Sequence, residues 1–494
     1  MATLDQALAI LHTLSEELHT RQADIERYDR YYRGEHKLRF ASNEFARRFA
    51  QRYHDFSDNW CGVVADAPVE RLQPIGIRVK GAPDSDPGDS DLWDVWLDNE
   101  ADALSDLAWL DAVIGKRSYA LVWGSDDDGP KISWEHPSQA IVGYDPETRA
   151  RVAGLKRWSD GTTEYATLYL PEEVWKFQRP AYATSGYTNS GLFIPGAETG
   201  WRERRSAGDS SWPLPNPMNE VPLVEFANRP RLLGEPISDI AGTVAMQDAV
   251  NLLWGYLFNA ADFASFPQRI VTGMDRPMIP ILDEQGQEIG ERPVDLEKFA
   301  VDRVVWLESP EAKTTEWSAA NLDAYTSIIE VQVGHIAAQT RTPQHYLVGK
   351  MANLSADALK AAETGLVKRT EEKTEHFGRG VREVFRLVCL AQGDEAKAKA
   401  VRAGTVLWKD VESRSEAQLV DALQKLSAIG FPFAYIAERY GLSPAEVERV
   451  VKMKEEEAAN DPVLQAGRLS GSSAGPEAQS PPGGTPAKPV TEAA

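Results

Sequence analysis

Residues 321–392 read NLDAYTSIIEVQVGHIAAQTRTPQHYLVGKMANLSADALKAAETGLVKRTEEKTEHFGRGVREVFRLVCLAQ, and the fold is decided there. In the first part Leu322, Tyr325, Ile329, Val333 and Ile336 recur at spacings of three and four, which is one face of an α-helix. Arg341-Thr342-Pro343 ends that helix, because proline excludes helical geometry from the residue before it and has no amide to donate. The loop from Pro343 to Leu354 is about a dozen residues, a length at which functional loops are over-represented. Ser355 is the expected N-cap of the next helix. Leu359, Leu366, Phe377, Val381, Phe385 and Val388 mark a stripe down that helix. Run to Gln392, it extends on the order of 55 Å. A helix longer than one compact domain needs reads as a pillar or spoke in a larger assembly.

Working outward, the 494 residues are enough for two to four domains. There are 75 acidic against 53 basic residues and a formal charge of −22, which argues against tight wrapping of nucleic acid but not against a surface past which DNA slides. The two cysteines, Cys61 and Cys389, lie far apart without metal-ligand spacing, so a reduced compartment without a disulfide framework is expected. The N-terminal stretch carries Asp5, Glu16 and Glu17 and no apolar signal core. No uncharged apolar run reaches membrane-spanning length, and a soluble, cytoplasmic protein is expected.

N-terminal to the deciding stretch, a helix is expected over 3–33, with Leu4, Leu8, Leu11 and Leu18 on its face and Gly34 closing it. The tyrosines and arginines of Tyr28, Arg30, Tyr31, Tyr32 and Arg33 have the composition of a nucleic-acid surface. They read better as a helix end packed by its own tyrosines. A second helix is expected from Asn43 to Asp66. From Pro74 to Asn228 the period becomes that of strands. Tyr119–Trp123 and Lys131–Trp134 flank Asp128-Gly129, and Arg151–Trp158 and Thr163–Leu170 flank Asp160-Gly161; both are hairpin signals. A helix over Asp91–Gly115 interrupts them. The acidic run Ser125–Gly129 lacks the ligand spacing of a calcium loop and reads as a solvated turn. Gly234-Glu235-Pro236 is expected to open a further helix with Ile237, Ile240, Val244, Leu252 and Tyr256 as its stripe, ending near Ser265. Between it and the helix at 321 lies a strand-and-turn segment whose best strands are Arg269–Thr272 and Arg303–Leu307.

Beyond Gly393, short helices are expected over 413–429 and 432–459 with a break at Gly441. Ile436–Ser443 resembles a helix-turn-helix corner. The second helix of that corner carries Glu446, Glu448, Glu455, Glu456 and Glu457, which would repel phosphates, so a packed corner is the better reading. Residues 461–494, rich in Pro, Gly, Ser and Ala, are expected to be a disordered tail.

Arg341-Thr342-Pro343-Gln344-His345-Tyr346-Leu347-Val348-Gly349 resembles the end of the inner stem helix and the tunnel loop of portal proteins from tailed double-stranded-DNA bacteriophages. Asn353–Lys360 is similar to the start of the long helix that follows that loop, and Tyr31–His36 to the opening of the wing. The resemblance implies an α+β, mainly helical portal fold with wing, stem, clip and crown regions, assembled in a ring. It implies a wing over 1–233, a stem helix over 234–265, a β-rich clip over 266–318 and a second stem helix over 319–341. A tunnel loop over 342–355, a long spoke helix and return to the wing over 356–412, and a helical crown over 413–460 follow. It further implies a dodecameric ring at one capsid vertex, in the virion after assembly in the host cytoplasm. Double-stranded DNA passes through such a ring without sequence specificity. Its other partners are the terminase large subunit, the major capsid and scaffold proteins, and the neck or adaptor proteins. In the tunnel loop His345, Tyr346, Lys350, Met351 and Asn353 are expected to face DNA, with Pro343 and Gly349 as hinges.

The residues themselves offer no chemistry. There is no Gly-x-x-x-x-Gly-Lys-Ser/Thr phosphate loop and no His-Glu-x-x-His, and the eight histidines are scattered. His376 and Cys389 share a helix but nothing orients them as base and nucleophile. No cofactor, no metal and no enzymatic activity are expected. The other readings are a nucleic-acid-processing enzyme with a diverged site and a regulator using the Tyr440-Gly441 corner.

Overall fold

The computed structural model describes residues 2–35, 43, 47, 56–82, 88–125, 129–181, 200–206, 208–209, 211–265, 269–272, 278–283, 285–293, 304–307, 321–348, 356–412 and 416–460. The chain divides into two compact units, Met1–Ser415 and Glu416–Ala494. Its class is α+β and mainly helical, as the periodicities predict.

Helix α1 (Leu4–Tyr32) begins where Thr3 and Gln6 cap each other reciprocally. Its buried side is Ala7, Leu11, Leu14, Leu18, Ile25, Tyr28 and Tyr31, whereas Leu4, expected on that face, is exposed. The tyrosines pack the helix end as read: the Tyr31 hydroxyl donates to Asp248 at 2.8 Å and the Tyr32 hydroxyl to Asp66 at 3.0 Å. Helix α2 (Trp60–Val69) corrects the expectation of one helix over 43–66, since residues 56–59 are not helical. The amides there are spent elsewhere: Asp58 N donates to Asn251 Oδ1 (3.1 Å) and Trp60 N to Gln247 Oε1 (2.7 Å), while Asn59 caps the helix that follows.

After strand β1 (Pro74–Arg78), two helices, α3 (Ser90–Asp98) and α4 (Ala101–Gly115), replace the single one expected over 91–115. Asn99 makes the break. Its amide donates to the carbonyls of Val95 (2.8 Å) and Pro130 (3.0 Å), its Oδ1 accepts from Ile132 N (2.9 Å), and Glu100 turns the chain at φ +51°.

Strands β2 (Arg117–Ser125), β3 (Gly129–Glu135), β4 (Ala140–Tyr144), β5 (Arg151–Ser159), β6 (Thr163–Tyr169), β7 (Glu173–Pro180), β8 (Arg202–Glu203), β9 (Leu214–Pro215) and β10 (Leu223–Ala227) follow. Both Asp-Gly hairpins form, β2 against β3 with Tyr119 opposite Glu135, and β5 against β6 with Trp158 opposite Tyr165. In the second turn Asp160 accepts from the amides of Thr163 and Thr162, which holds its carboxyl well below the usual range. One sheet has the order β10-β2-β3; the other runs β4-β5-β6-β7-β8, with β9 also on β7.

Helix α5 (Val244–Ser265) starts later than Pro236, correcting the expected opening. The intervening backbone is committed to other segments: Ile237 N donates to Asn228 O (3.2 Å) and Asp239 N to Val113 O (3.0 Å). The β-rich insertion expected next is present as β11 (Arg269–Thr272), β12 (Met278–Leu282), β13 (Glu288–Pro293) and β14 (Val304–Leu307). Strand β11 runs parallel to β14, and β12 with β13 is an antiparallel hairpin. Helix α6 (Leu322–Thr340) then packs on α5, capped by Asn321 and burying Ile329, Val333 and Ile336.

A short helix α7 (Gln344–Val348) precedes the long α8 (Ala356–Ala391), whose 36 residues extend about 54 Å. Its apolar stripe is real but is not one stripe throughout. Phe377, Val381, Val384, Phe385, Leu387, Val388 and Cys389 are all fully buried, so the C-terminal half forms the core of the first unit. Trp109 lies there between Phe226 and a stacked Phe377, with centroids 5.1 and 5.2 Å away. Helix α9 (Glu395–Arg402) and strand β15 (Thr405–Trp408) turn the chain back, and β15 pairs antiparallel with β1.

In the second unit α10 (Glu416–Ala428), α11 (Phe433–Tyr440) and α12 (Pro444–Asn460) are short helices. Gly441, at φ +101°, closes α11 at the expected break. Ala437 and Val447 are buried at the corner while Glu446, Glu448 and Glu455–457 are exposed. Among the described residues, no helix is long and apolar enough to cross a membrane. The tail, 461–494, lies outside the described residues.

Candidate functional site

The end of α6, the loop after it and the first turns of α8 form one junction. Arg341 leaves α6 in the left-handed region (φ +56°), and its amide and that of Thr342 both donate to Ala337 O. Thr340 Oγ1 donates to Ile336 O at 2.8 Å, so the last turn is held by side chain as well as backbone. Across from it, a Cβ on Gly365 would meet Arg341 Cβ at 3.2 Å and its carbonyl oxygen at 3.4 Å. Only glycine leaves room for α8 to pass so near, and the chain between 341 and 365 is a closed excursion rooted at that crossing.

Within the excursion, Pro343 is buried and Leu347 is sunk in the core shared by α2, α5 and α6. His345 and Tyr346, expected to face DNA, are half-buried against the chain itself. The two rings meet edge-on with centroids 4.8 Å apart. The Tyr346 hydroxyl accepts from Arg71 Nη2 at 2.7 Å, and Arg71 also donates to the Val411 carbonyl at 3.0 Å. Glu363, on α8, lies 3.4 Å from Arg71 and 3.9 Å from His345 Nε2. Gly349, Lys350, Met351 and Asn353 lie outside the described residues.

Just below the crossing is a buried ion cluster. Asp239, its side chain wholly enclosed, accepts from Arg369 Nε at 3.1 Å, lies 2.7 Å from Lys373 Nζ and accepts from Asn228 Nδ2 at 3.0 Å. Arg369 Nη1 donates to the Thr340 carbonyl at 2.6 Å, and Lys373 donates to Asn228 Oδ1. Burial pushes the Asp239 carboxyl up, but Lys373 and then Arg369 outweigh it and hold the group well below the usual carboxylate range. Enclosed charges of this kind persist only when every donor and acceptor is matched. Here the match runs between the chain before α5, the end of α6 and the middle of α8.

The cluster was missed in the sequence. The available signal is that Arg369 and Lys373 fall on the apolar stripe of α8, between Leu366 and Phe377, where an unpaired charge has no place. Among the described residues, no group of three or more His, Cys, Asp or Glu is placed to hold a metal ion.

Long helices locked by buried charge around a loop define a scaffold. Residues 11–461 match the family model described as "Phage portal protein, SPP1 Gp6-like", and the chain belongs to that family, whose members are structural, non-enzymatic components of the bacteriophage particle. It is 28% identical over 417 residues to the portal protein of Mycobacterium phage D29, covering 80% of this chain and 78% of that one. Against the portal protein of Mycobacterium phage L5 the identity is 27% over 408 residues, with the same coverage of 80% and 78%. Among solved structures, a chain of the virion of a native gene transfer agent particle aligns over 82% of this chain and 94% of its own. At 10% identity and a TM-score of 0.37, that likeness is too slight to establish a common fold.

Proposed function

We propose that the chain forms a closed dodecameric ring at one capsid vertex, through whose centre double-stranded DNA passes during packaging and ejection. Support comes from membership of the portal family, and above all from α6 and α8 being locked together where Arg369 reaches the Thr340 carbonyl and Gly365 meets Arg341. On this reading residues 1–233 are the wing, 234–265 and 319–341 the stem helices, and 266–318 the clip. Residues 342–355 are the tunnel loop, 356–412 the spoke helix and return to the wing, 413–460 the crown and 461–494 a free tail. The terminase large subunit, and later the neck or adaptor proteins, dock on the clip; major capsid and scaffold proteins surround the ring in the host cytoplasm.

Lys350, Met351 and Asn353 face the DNA on this reading, with Pro343 and Gly349 as hinges. His345 and Tyr346 reach it only when their contacts with Glu363 and Arg71 open. A formal charge of −22 per chain suits a conduit, because each phosphate gripped by a cation adds counterion-release affinity that motion must then overcome. Lysine supplies a point charge without a bidentate lock, so a ring of Lys350 touches and releases. Negative-stain images of the purified full chain test the proposal: closed rings with a central hole are expected. A monodisperse monomer at micromolar concentration, with helical circular dichroism intact, would overturn it.

A further inference from the structure

Two side chains stand out on the first unit: Leu232 is 92% and Leu233 is 82% exposed, side by side. They sit at the tip of a closed loop whose ends are fastened. Asn228 N donates to Lys116 O (2.9 Å), Asn228 Nδ2 donates to Ile237 O (2.8 Å), and Glu235 is paired with Arg117 at 2.6 Å. Arg229 (φ +47°) and Gly234 (φ +95°) bend the loop at its two shoulders. Apolar groups on so tightly tied a loop lose little freedom when a partner covers them. Arg229 and Arg231 precede the leucines, exposed, and among the described residues neither has a carboxylate partner.

The complementary surface is on the same chain. Along α4, Leu107 (60% exposed) and Leu104 point outward, with Asp102 and Asp106 beside them. Those two aspartates are four residues apart on one helix face, a like-charge spacing that destabilises a helix on its own. Burial, and then the charge of Asp102, raise the Asp106 carboxyl. Among the described residues, neither has a cation partner. A basic leucine tip and an acidic leucine face therefore stand unsatisfied on one molecule.

We propose that the 229–234 loop docks on the outer face of α4 of a second copy of this chain, leucine on leucine and arginine on aspartate. A contact between two different patches is heterologous, so each copy uses one patch toward each neighbour, and such contacts make a ring when the rotation between copies closes. The inference rests on the ring reading above and assigns it a subunit contact.

Sedimentation velocity on full-length protein tests it. Leu232→Ser with Leu233→Ser, and separately Asp102→Lys with Asp106→Lys, should each abolish rings at a concentration where the unaltered chain is fully assembled, with helical circular dichroism unchanged. Mixed together, the two variants retain one working contact between them and should stop at a heterodimer. Arg229→Asp with Arg231→Asp should also be monomeric, and combining it with Asp102→Lys and Asp106→Lys in one chain should restore rings. If the patch variants form rings like the unaltered chain, the leucines serve some other partner and the contact is wrong while the ring stands. A failure of the charge exchange to restore rings would also overturn it. If the unaltered chain is itself a monomer, the ring reading falls first.

Discussion

The Val64 carbonyl accepts from the Arg369 guanidinium, Nη2 to O at 3.2 Å, because Pro68, four residues on, has no amide to offer it. One vacant acceptor inside α2 is thus filled by the long helix. The same guanidinium reaches the Thr340 carbonyl and the Asp239 carboxylate, so three separate segments are held by a single side chain.

Replacing Arg369 with Met keeps a long apolar stem and removes the charge. Lys373 alone then faces Asp239, and the carbonyls of Val64 and Thr340 lose their donor. Each buried carbonyl left without its donor costs about 1–3 kcal/mol. Urea unfolding followed by tryptophan fluorescence should show a midpoint lowered to match. A midpoint unmoved by the substitution would mean the cluster adds nothing to folding.

The same cluster has a defined dependence on pH. A carboxyl depressed in the folded state contributes stability that is fully present above its unfolded value, near about 3.9, and that is lost as pH falls through the lower folded value. The stability difference between the unaltered chain and Asp239→Asn should therefore be flat between pH 6 and about 5 and narrow only below about pH 4. Narrowing that is complete by pH 5 would contradict the pairing.

Two glycines should respond with opposite signs to alanine. A Cβ on Gly380 of α8 would come within 2.6 Å of Phe226 Cδ1, and that ring is hemmed in by Trp109, Trp134 and Phe377. Overpacking of this kind costs about 1–3 kcal/mol. A Cβ on Gly334 of α6 would meet only Gln344 Nε2, at an ordinary 3.7 Å, so Gly334→Ala should gain up to about 1 kcal/mol of helix propensity. Thermal unfolding midpoints that move together would refute the packing described.

Lys350→Glu should leave rings intact and shorten the DNA packaged or retained, measured by the length protected from nuclease. Full-length, stably retained DNA would remove the contact role proposed for this lysine.

Helix α6 was legible almost to the residue, because an apolar period and the stop at Pro343 agree locally, and the structure adds the Asn321 cap. The Asp-Gly hairpins were legible for the same reason. Where the sequence misled, a distant group had claimed the backbone. Asn99 broke a continuous helical pattern by bonding to Pro130 and Ile132, and Val113 took the Asp239 amide that a helix opening at Pro236 would have used. The ion cluster joins positions 130 residues apart, which no local pattern encodes. Its trace was two cations on an apolar stripe. The tunnel-loop residues rest on resemblance; of them, His345 and Tyr346 are engaged by Glu363 and Arg71 in ways that spacing alone does not foretell.

The antiparallel pairing of β1 with β15 has a consequence for synthesis. Strand β1 leaves the ribosome with an unfilled edge, and its partner is encoded roughly three hundred residues later. At about 5–20 residues per second the nascent chain carries that open edge for on the order of 15–60 s. Helix α8, which forms the core beneath it, emerges only shortly before β15 does. The core that α8 completes therefore closes late, and nascent chains on neighbouring ribosomes are exposed to edge-to-edge pairing throughout that interval.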